Sequence, residues 1–382
     1  MKFFNFLFIF FFCVCSAQKI RIVDAENGNP IPNARIMLRD QIVYTNEDGF
    51  APLSQDAGNF EISASGFQKE IIPVFNAEVK LKPIYKNIDE IRIINVDIRK
   101  IFNEVSKHYD ERYYNKPSLY DVVYKEKGFD NDKLHFLVIA EAKFWSKNNR
   151  YNFRDGFRKN YDDILQMQLN NVKYFKSVKS DSIFSGKTDE FSHEYLGNFF
   201  FNYELYRTQQ HLKIKDCKYS GRLIFEEGDE QVITFKIQSG NGVQIEGEFK
   251  YNKTDKVITY FESHYFQTDY PTMKKTTTDG REFMYKLGDA AVIFDFYKKD
   301  GVYVPALTRL EGDRFTVFYK DETHVRKFSC EIIYNTFTKT DKKGLDPKVD
   351  FNISIWKNVA VKEDRTGTTL LSEEEQAFVS QK

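Results

Sequence analysis

The sequence predicts a mainly β protein: a small N-terminal β-sandwich, then a large curved antiparallel sheet, open like a half-barrel, with a few helices packed on it. Three observations predict this. Aromatics are abundant, with 37 Phe and 23 Tyr among 382 residues, while Ala, Met and Pro are sparse, a balance that favours pleated sheet over helix. From Lys19 to Leu81, short alternating segments are separated by Gly-containing turns. Beyond Ser118 the alternating runs lengthen and follow one another through tight turns, which suits one meandering sheet better than several sandwiches.

The chain opens with Met1-Lys2, the apolar run FFNFLFIFFFCVC and the small-residue exit SAQ. This is the pattern of a secretory signal peptide over residues 1–17, cleaved after Ala17. A bilayer span takes about 20 apolar residues, more than this run supplies. A lipoprotein signal is the alternative, but Cys13 and Cys15 follow Phe12 and Val14 rather than the small residues lipidation requires. The expected location is therefore outside the cytoplasm, periplasmic or associated with the outer membrane. No later run is apolar enough to cross a membrane as a helix. The 56 basic and 56 acidic residues cancel, so no net field points to nucleic acid or an anionic surface. Two cysteines remain after cleavage, Cys217 and Cys330. In an oxidising compartment they form one disulfide or stay as two buried thiols, and the sequence leaves both open.

Residues 18–83 form the expected sandwich. KIRIVDA, ARIML, QIVYT, NFEISASGF and AEVKLKP are its strands, punctuated at Asn27-Gly28, Asp48-Gly49, Ala57-Gly58 and Gly66. Gly28 and Gly49 are the expected positive-φ positions, and Pro30 and Pro32 stiffen the entry to the second strand. These residues carry a resemblance. Asp24, Gly28, Pro30, Ile31, Asn33 and Ala34, then Thr45, Gly49 and Phe50, then Gly66 and Phe67 match the motifs of the carboxypeptidase-regulatory-like domain. The resemblance implies a seven-stranded transthyretin-like sandwich, common at the N-termini of Bacteroidetes envelope proteins. It implies an accessory module without catalytic residues, and so no peptidase activity.

Residues 84–117 are a connector with an amphipathic helix from Asp97 to Tyr109. Ile98, Ile101, Phe102, Val105 and Tyr109 share one face, and Asp97 is placed to cap it. Residues 118–357 are the large antiparallel β domain. SLYDVVYKEKG and LHFLVIAEAKFWSK make a hairpin through Asp130-Asn131-Asp132, and YDDILQMQLNNVKYF is expected to be a helix. Thr188 to Tyr206 is aromatic and ambiguous. A run of strands follows from LKIKDCKYSGRLIFEE to RKFSCEIIYNTFTK, with turns at Asn252 to Asp255 and Lys299-Asp300-Gly301. DFNISIWKNVAVKED is a last strand. In the tail, 358–382, Ser372 and the glutamates after it either cap a short helix or belong to a frayed end.

This second region also resembles the uncharacterised β-rich domain that Bacteroidetes proteins pair with a carboxypeptidase-regulatory-like domain. Gly247, Phe249 and Tyr251, then Val257, Ile258 and Tyr260, then Gly301 and Tyr303 carry the likeness. The strand pattern is also similar to the half-barrel of periplasmic lipoprotein carriers, in which a curved sheet wraps a helix and an apolar cavity. That likeness is one of fold alone.

No catalytic, cofactor-binding or metal residues are assigned. His108, His135, His193, His211, His264 and His324 are scattered, and no His-x-x-x-His or Cys-x-x-Cys pair occurs. There is no Gly-x-Ser-x-Gly elbow, phosphate loop or Rossmann fingerprint. DGFAPLSQD and EEGDE (Glu226 to Glu230) read as turns, and Asp162-Asp163 as the favourable negative start of a helix. Tyr195 to Tyr206 holds six Tyr or Phe residues in twelve. Such a segment is either a buried core insertion or the lining of an apolar groove. The expected function is that of a non-enzymatic exported envelope protein. Its sandwich is a spacer or docking module, and its sheet holds an apolar ligand or contacts a protein partner. The alternatives are an interaction subunit with no cavity and a hydrolase of an envelope polymer.

Overall fold

The computed structural model describes residues 19–53, 57–84, 94–179, 196–267, 269–277, 280–351 and 370–381. The expected signal peptide, His193, Tyr195 and the last strand from Asn352 onward lie outside the described residues.

The N-terminal part is a sandwich of seven strands: β1 (Lys19–Asp24), β2 (Arg35–Met37), β3 (Ile42–Tyr44), β4 (Phe50–Pro52), β5 (Phe60–Ser63), β6 (Glu70–Ile72) and β7 (Glu78–Leu81). One sheet runs β4-β1-β7 and the other β3-β2-β5-β6. Between them lie Ile20, Ile22, Ala34, Ile36, Val43, Phe60, Ile62, Val79 and Leu81, the alternate residues that a half-buried strand turns inward. Gly28 and Gly49 have φ of 73° and 76°, as their turns require. The sequence reading had not resolved β4 and β6, both only three residues long.

The rest is one open sheet of fourteen strands with helices on its inner face. The chain enters through β8 (Ile94–Asn95), helix α1 (Ile98–Arg112), β9 (Ser118–Asp130) and β10 (Lys133–Ser146). The short helix α2 (Phe153–Phe157), β11 (Leu165–Ser177) and helix α3 (Phe201–Lys213) follow. Next come β12 (Lys218–Glu227), β13 (Glu230–Gln238), β14 (Gln244–Asn252), β15 (Val257–Phe266), β16 (Met273–Thr276) and β17 (Glu282–Lys286). The sheet is completed by β18 (Asp289–Lys299), β19 (Val302–Tyr319), β20 (Glu322–Tyr334) and β21 (Thr338–Lys339), and the C-terminal helix is α4 (Glu373–Ser380). The main path runs β11-β10-β9-β20-β19-β18-β15-β14-β13-β12-β8. Its ends are not paired with each other, so the sheet stays open, as expected.

Local chemistry sets the turns and caps. Asn131 and Asp132, at φ of 48° and 59°, close the β9–β10 hairpin, and Asp300 and Gly301, at 52° and 82°, close β18–β19; both are two-residue turns with two positive φ values. Asp97 accepts hydrogen bonds from the backbone N–H of Arg99 and Lys100 at 3.0 and 3.3 Å and starts α1.

One expectation needs correction, and two open alternatives are decided. The helix expected over Tyr161 to Phe175 is a single 3₁₀ turn, Tyr161–Asp163, followed by strand β11. Asn170 and Asn171 are poor interior helix residues, and pairing with β10 from Leu165↔Ser146 to Ser177↔Phe136 satisfies the backbone instead, with two register shifts. Asp162 and Asp163 therefore lie in a turn, paired with Lys348 and Lys147 at 2.6 and 3.7 Å. The chain end is not frayed: α4 has a full capping box between Ser372 and Glu375 and buries Phe378 against Leu137 and Ile139. Cys217 and Cys330 are thiols, since the strand that carries Cys330, β20, lies six strand steps from β12, beside Cys217.

Candidate functional site at the seam of sandwich and sheet

The inner face of the large sheet is filled. Phe102 of α1 packs on Phe235, Phe249 and Phe261 at ring distances of 5.9, 5.3 and 6.2 Å. Phe201 of α3 packs on Phe261, Phe294 and Phe296 at 5.4 to 5.5 Å. The described part of the aromatic segment, Leu196 to Tyr206, thus belongs mainly to the core: Leu196, Phe199, Phe200, Phe201 and Leu205 are all buried. The void left among Tyr109, Tyr113, Phe200, Phe296 and Tyr303 measures about 30 Å³, the volume of one water.

A buried carboxylate sits in the same packing. Glu204 of α3 is 1% exposed and accepts hydrogen bonds from Ser263 Oγ at 3.1 Å and Tyr265 Oη at 2.5 Å, with Arg207 paired to its other oxygen. Its lone pairs are satisfied from three sides, as a buried charge requires. Burial raises the pKa of Tyr265 despite the nearby Arg207. His211 approaches Ser239 at 3.3 Å, and burial lowers its pKa.

The polar groups that remain open lie on the outer face, where the sandwich docks. Strand β3 has two cores: Val43 points into the sandwich, while Ile42 and Tyr44 bury against Ala306 and Leu307 of the large sheet. Ile42 N–H donates to Asn335 O at 2.9 Å, and the Asn335 amide donates back to Ile42 O at 2.8 Å. Beside this apolar contact, Arg35 donates to Asp295 at 2.7 Å and to Phe296 O at 3.0 Å, and Tyr44 Oη donates to Asp295 at 2.7 Å. Burial works against the Arg35 charge, but Asp295 together with Tyr44, Glu61 and Glu230 outweighs it and the pKa is raised. Burial and then Asp295 push the Tyr44 hydroxyl well up.

The second attachment is the turn between β3 and β4. Asn46 Oδ1 accepts from the N–H of Asp48 and of Phe50 at 3.1 and 2.9 Å. A Cβ on Gly49 would meet Ile22 O at 2.6 Å, so the turn closes tightly only with glycine. The turn presents Glu47 and Asp48 to the sheet. Glu47 pairs with Lys127 at 2.5 Å and Lys125 at 3.7 Å, and its second neighbour Arg309 is held by Glu331 and Glu311 at 3.2 and 3.3 Å. Glu375 of α4, fully buried, meets the same two lysines. Burial raises the Glu47 pKa, but Lys125 and Lys127 overcome it and hold it at about 2. For Lys125, burial lowers the pKa and Glu375 with Glu47 raises it further. Asp48 Oδ2 accepts from Glu373 N–H at 3.0 Å, at the first turn of α4.

Next to this network is a cleft of about 680 Å³, bounded by Pro32, Asn33, Glu47, Lys127, His264, Phe266, Arg309 and Glu374. Its floor is set by the small residues Ala290, Ala291, Gly312 and Ser329. His264 Nε2 donates to Glu262 Oε1 at 2.7 Å, and this hydrogen bond raises the histidine pKa. The other described histidines are dispersed, with His324 on Asp130 at 2.7 Å and His108 on Glu111 at 3.1 Å. Among the described residues no group of three or more His, Cys, Asp or Glu side chains is placed to hold a metal ion.

Sequence reading placed Asp48 in a turn but assigned nothing to Glu47, Arg35 or Tyr44. One signal was present. QIVYT has no polar alternation, and a strand with apolar residues at consecutive positions is covered on both faces.

No family model matches the chain, and no curated protein does. Among solved structures, a Bacteroides fragilis protein named as membrane-associated and of unknown function aligns with 84% of this chain and 98% of its own, at 10% identity. Its TM-score of 0.14 is too low for the likeness to bear on fold or function.

Proposed function

We propose that this is an exported, non-enzymatic protein of the cell envelope that binds a protein partner through its outer face. The signal-like segment over residues 1–17 supports export, to the periplasm or the outer-membrane side. The motif residues around Gly28, Gly49 and Gly66 support a carboxypeptidase-regulatory-like sandwich as the docking module. The observation that carries the partner reading over an apolar ligand is the filled trough. A lipid tail needs a cavity of several hundred Å³, whereas the void beside α1 and α3 among Tyr109, Phe200 and Phe296 holds about 30 Å³. The outer cleft is larger, lined by polar and apolar groups alike, and edged by half-exposed Phe266 and Phe328, at 39% and 38%, the mixed character of a protein interface rim.

A photo-crosslinking amino acid placed at Phe266 of the full-length chain, expressed in its own cell, tests this. A discrete protein adduct is expected there and not from a control placement at Tyr219 on β12. Adducts of lipid mass, or equal yields from both positions, would overturn the reading.

A further inference from the structure

The sandwich is attached mainly at two places, and also through a hydrogen bond from Ser65 Oγ to Glu248 at 3.0 Å. The β3 side combines an apolar, backbone-paired contact through Ile42, Tyr44, Leu307 and Asn335 with the buried Arg35–Asp295 pair. The turn side is ionic and needs a third element, because Lys125 and Lys127 are shared between Glu47 of the sandwich and Glu375 of α4. Helix α4 is gripped by both bodies. Asp48 holds its N-terminal end at Glu373, while Lys176 Nζ donates to Phe378 O at 2.8 Å and Gln381 O at 2.5 Å. Phe378 inserts beside Leu137 and Ile139. A helix of eight residues is not stable alone, so forming α4 and closing the ionic side are one event. Without Glu375, the two poorly exposed ammonium groups lose the partner that faces both, keeping Glu47 and, for Lys125, Glu331, and under-compensated buried charge is costly.

We propose that α4 is a clasp on this seam: when it leaves, the sandwich swings on the β3 side as a hinge and the cleft between Glu47, Lys127, Arg309 and Glu374 opens. This holds whatever binds the protein. The test uses the full-length chain in a Cys217→Ser background, with spin labels introduced at Glu26 on the sandwich and Lys327 on the sheet. The parent gives one narrow distance. Glu375→Gln, which keeps the shape and removes the charge, adds a longer, broader component, while hydrogen exchange at the Ile42 amide changes less than twofold. Ser372→Ala removes the capping box without touching the seam charges and gives the same change at smaller amplitude; it decides the matter if Glu375→Gln does not fold. Parent-like distances in the variants would overturn the clasp. Faster exchange at Ile42 alongside the longer distance would overturn the hinge, since the sandwich would then detach as a whole.

Discussion

Glu47 shows how one exposed-looking turn residue becomes a structural charge. Its folded pKa of about 2 lies below the usual 4.5. The stability it contributes is therefore complete above pH 4.5 and is lost as the pH falls towards 2. Urea unfolding midpoints of the parent should drop across that window, and the drop should shrink in Glu47→Gln; an identical pH dependence in both would show that the pair with Lys127 does not stabilise the fold. On the hinge side, Tyr44→Phe removes one hydrogen bond to Asp295 and should cost about 1 kcal/mol. Arg35→Ala leaves the Asp295 carboxylate buried without its cation and should cost about 3–5 kcal/mol. Chemical denaturation of the two variants separates these costs. Asp48 was legible as a turn residue because turns are local. Glu47, Arg35 and Asp295 were not legible as partners, since they are set together by a docking event between parts of the chain far apart in sequence.

At the level of elements, periodicity read well where one face is buried and polar residues mark the other. Helix α1 begins at Asp97 as its capping chemistry indicates, and Phe102 lies on the face that the 3.6-residue spacing selects. Asp97→Ala should cost about 1 kcal/mol and Phe102→Ala about 3–5 kcal/mol, measured by thermal or urea unfolding; a Phe102→Ala cost below that for Asp97→Ala would mean that the trough is not packed around α1. Strand β11 was misread even though Leu165, Met167 and Leu169 alternate with Gln166 and Gln168, the two-residue period of a strand. Pairing with β10 decided it. The terminal helix was legible as Ser372 followed by Glu375, but its docking depends on Lys125, Lys127 and Lys176, which no local pattern announces.

At the scale of the whole molecule, two β bodies share one strand. Val43 serves the sandwich core, and Ile42 and Tyr44 serve the seam. Fold class was readable from composition and turn chemistry because both act locally and repeatedly. Whether the half-barrel holds a ligand was not, since that depends on how much volume α1 and α3 occupy once folded. Among the described residues they pack it with Phe102, Phe201 and their neighbours, which is why the proposed partner surface lies on the outside of the sheet. The most direct test is native mass spectrometry of the full-length protein released gently from its own envelope. The expected result is the mass of the polypeptide alone, unchanged as collision energy is raised. A stoichiometric apolar adduct, shed only at higher collision energy, would contradict it.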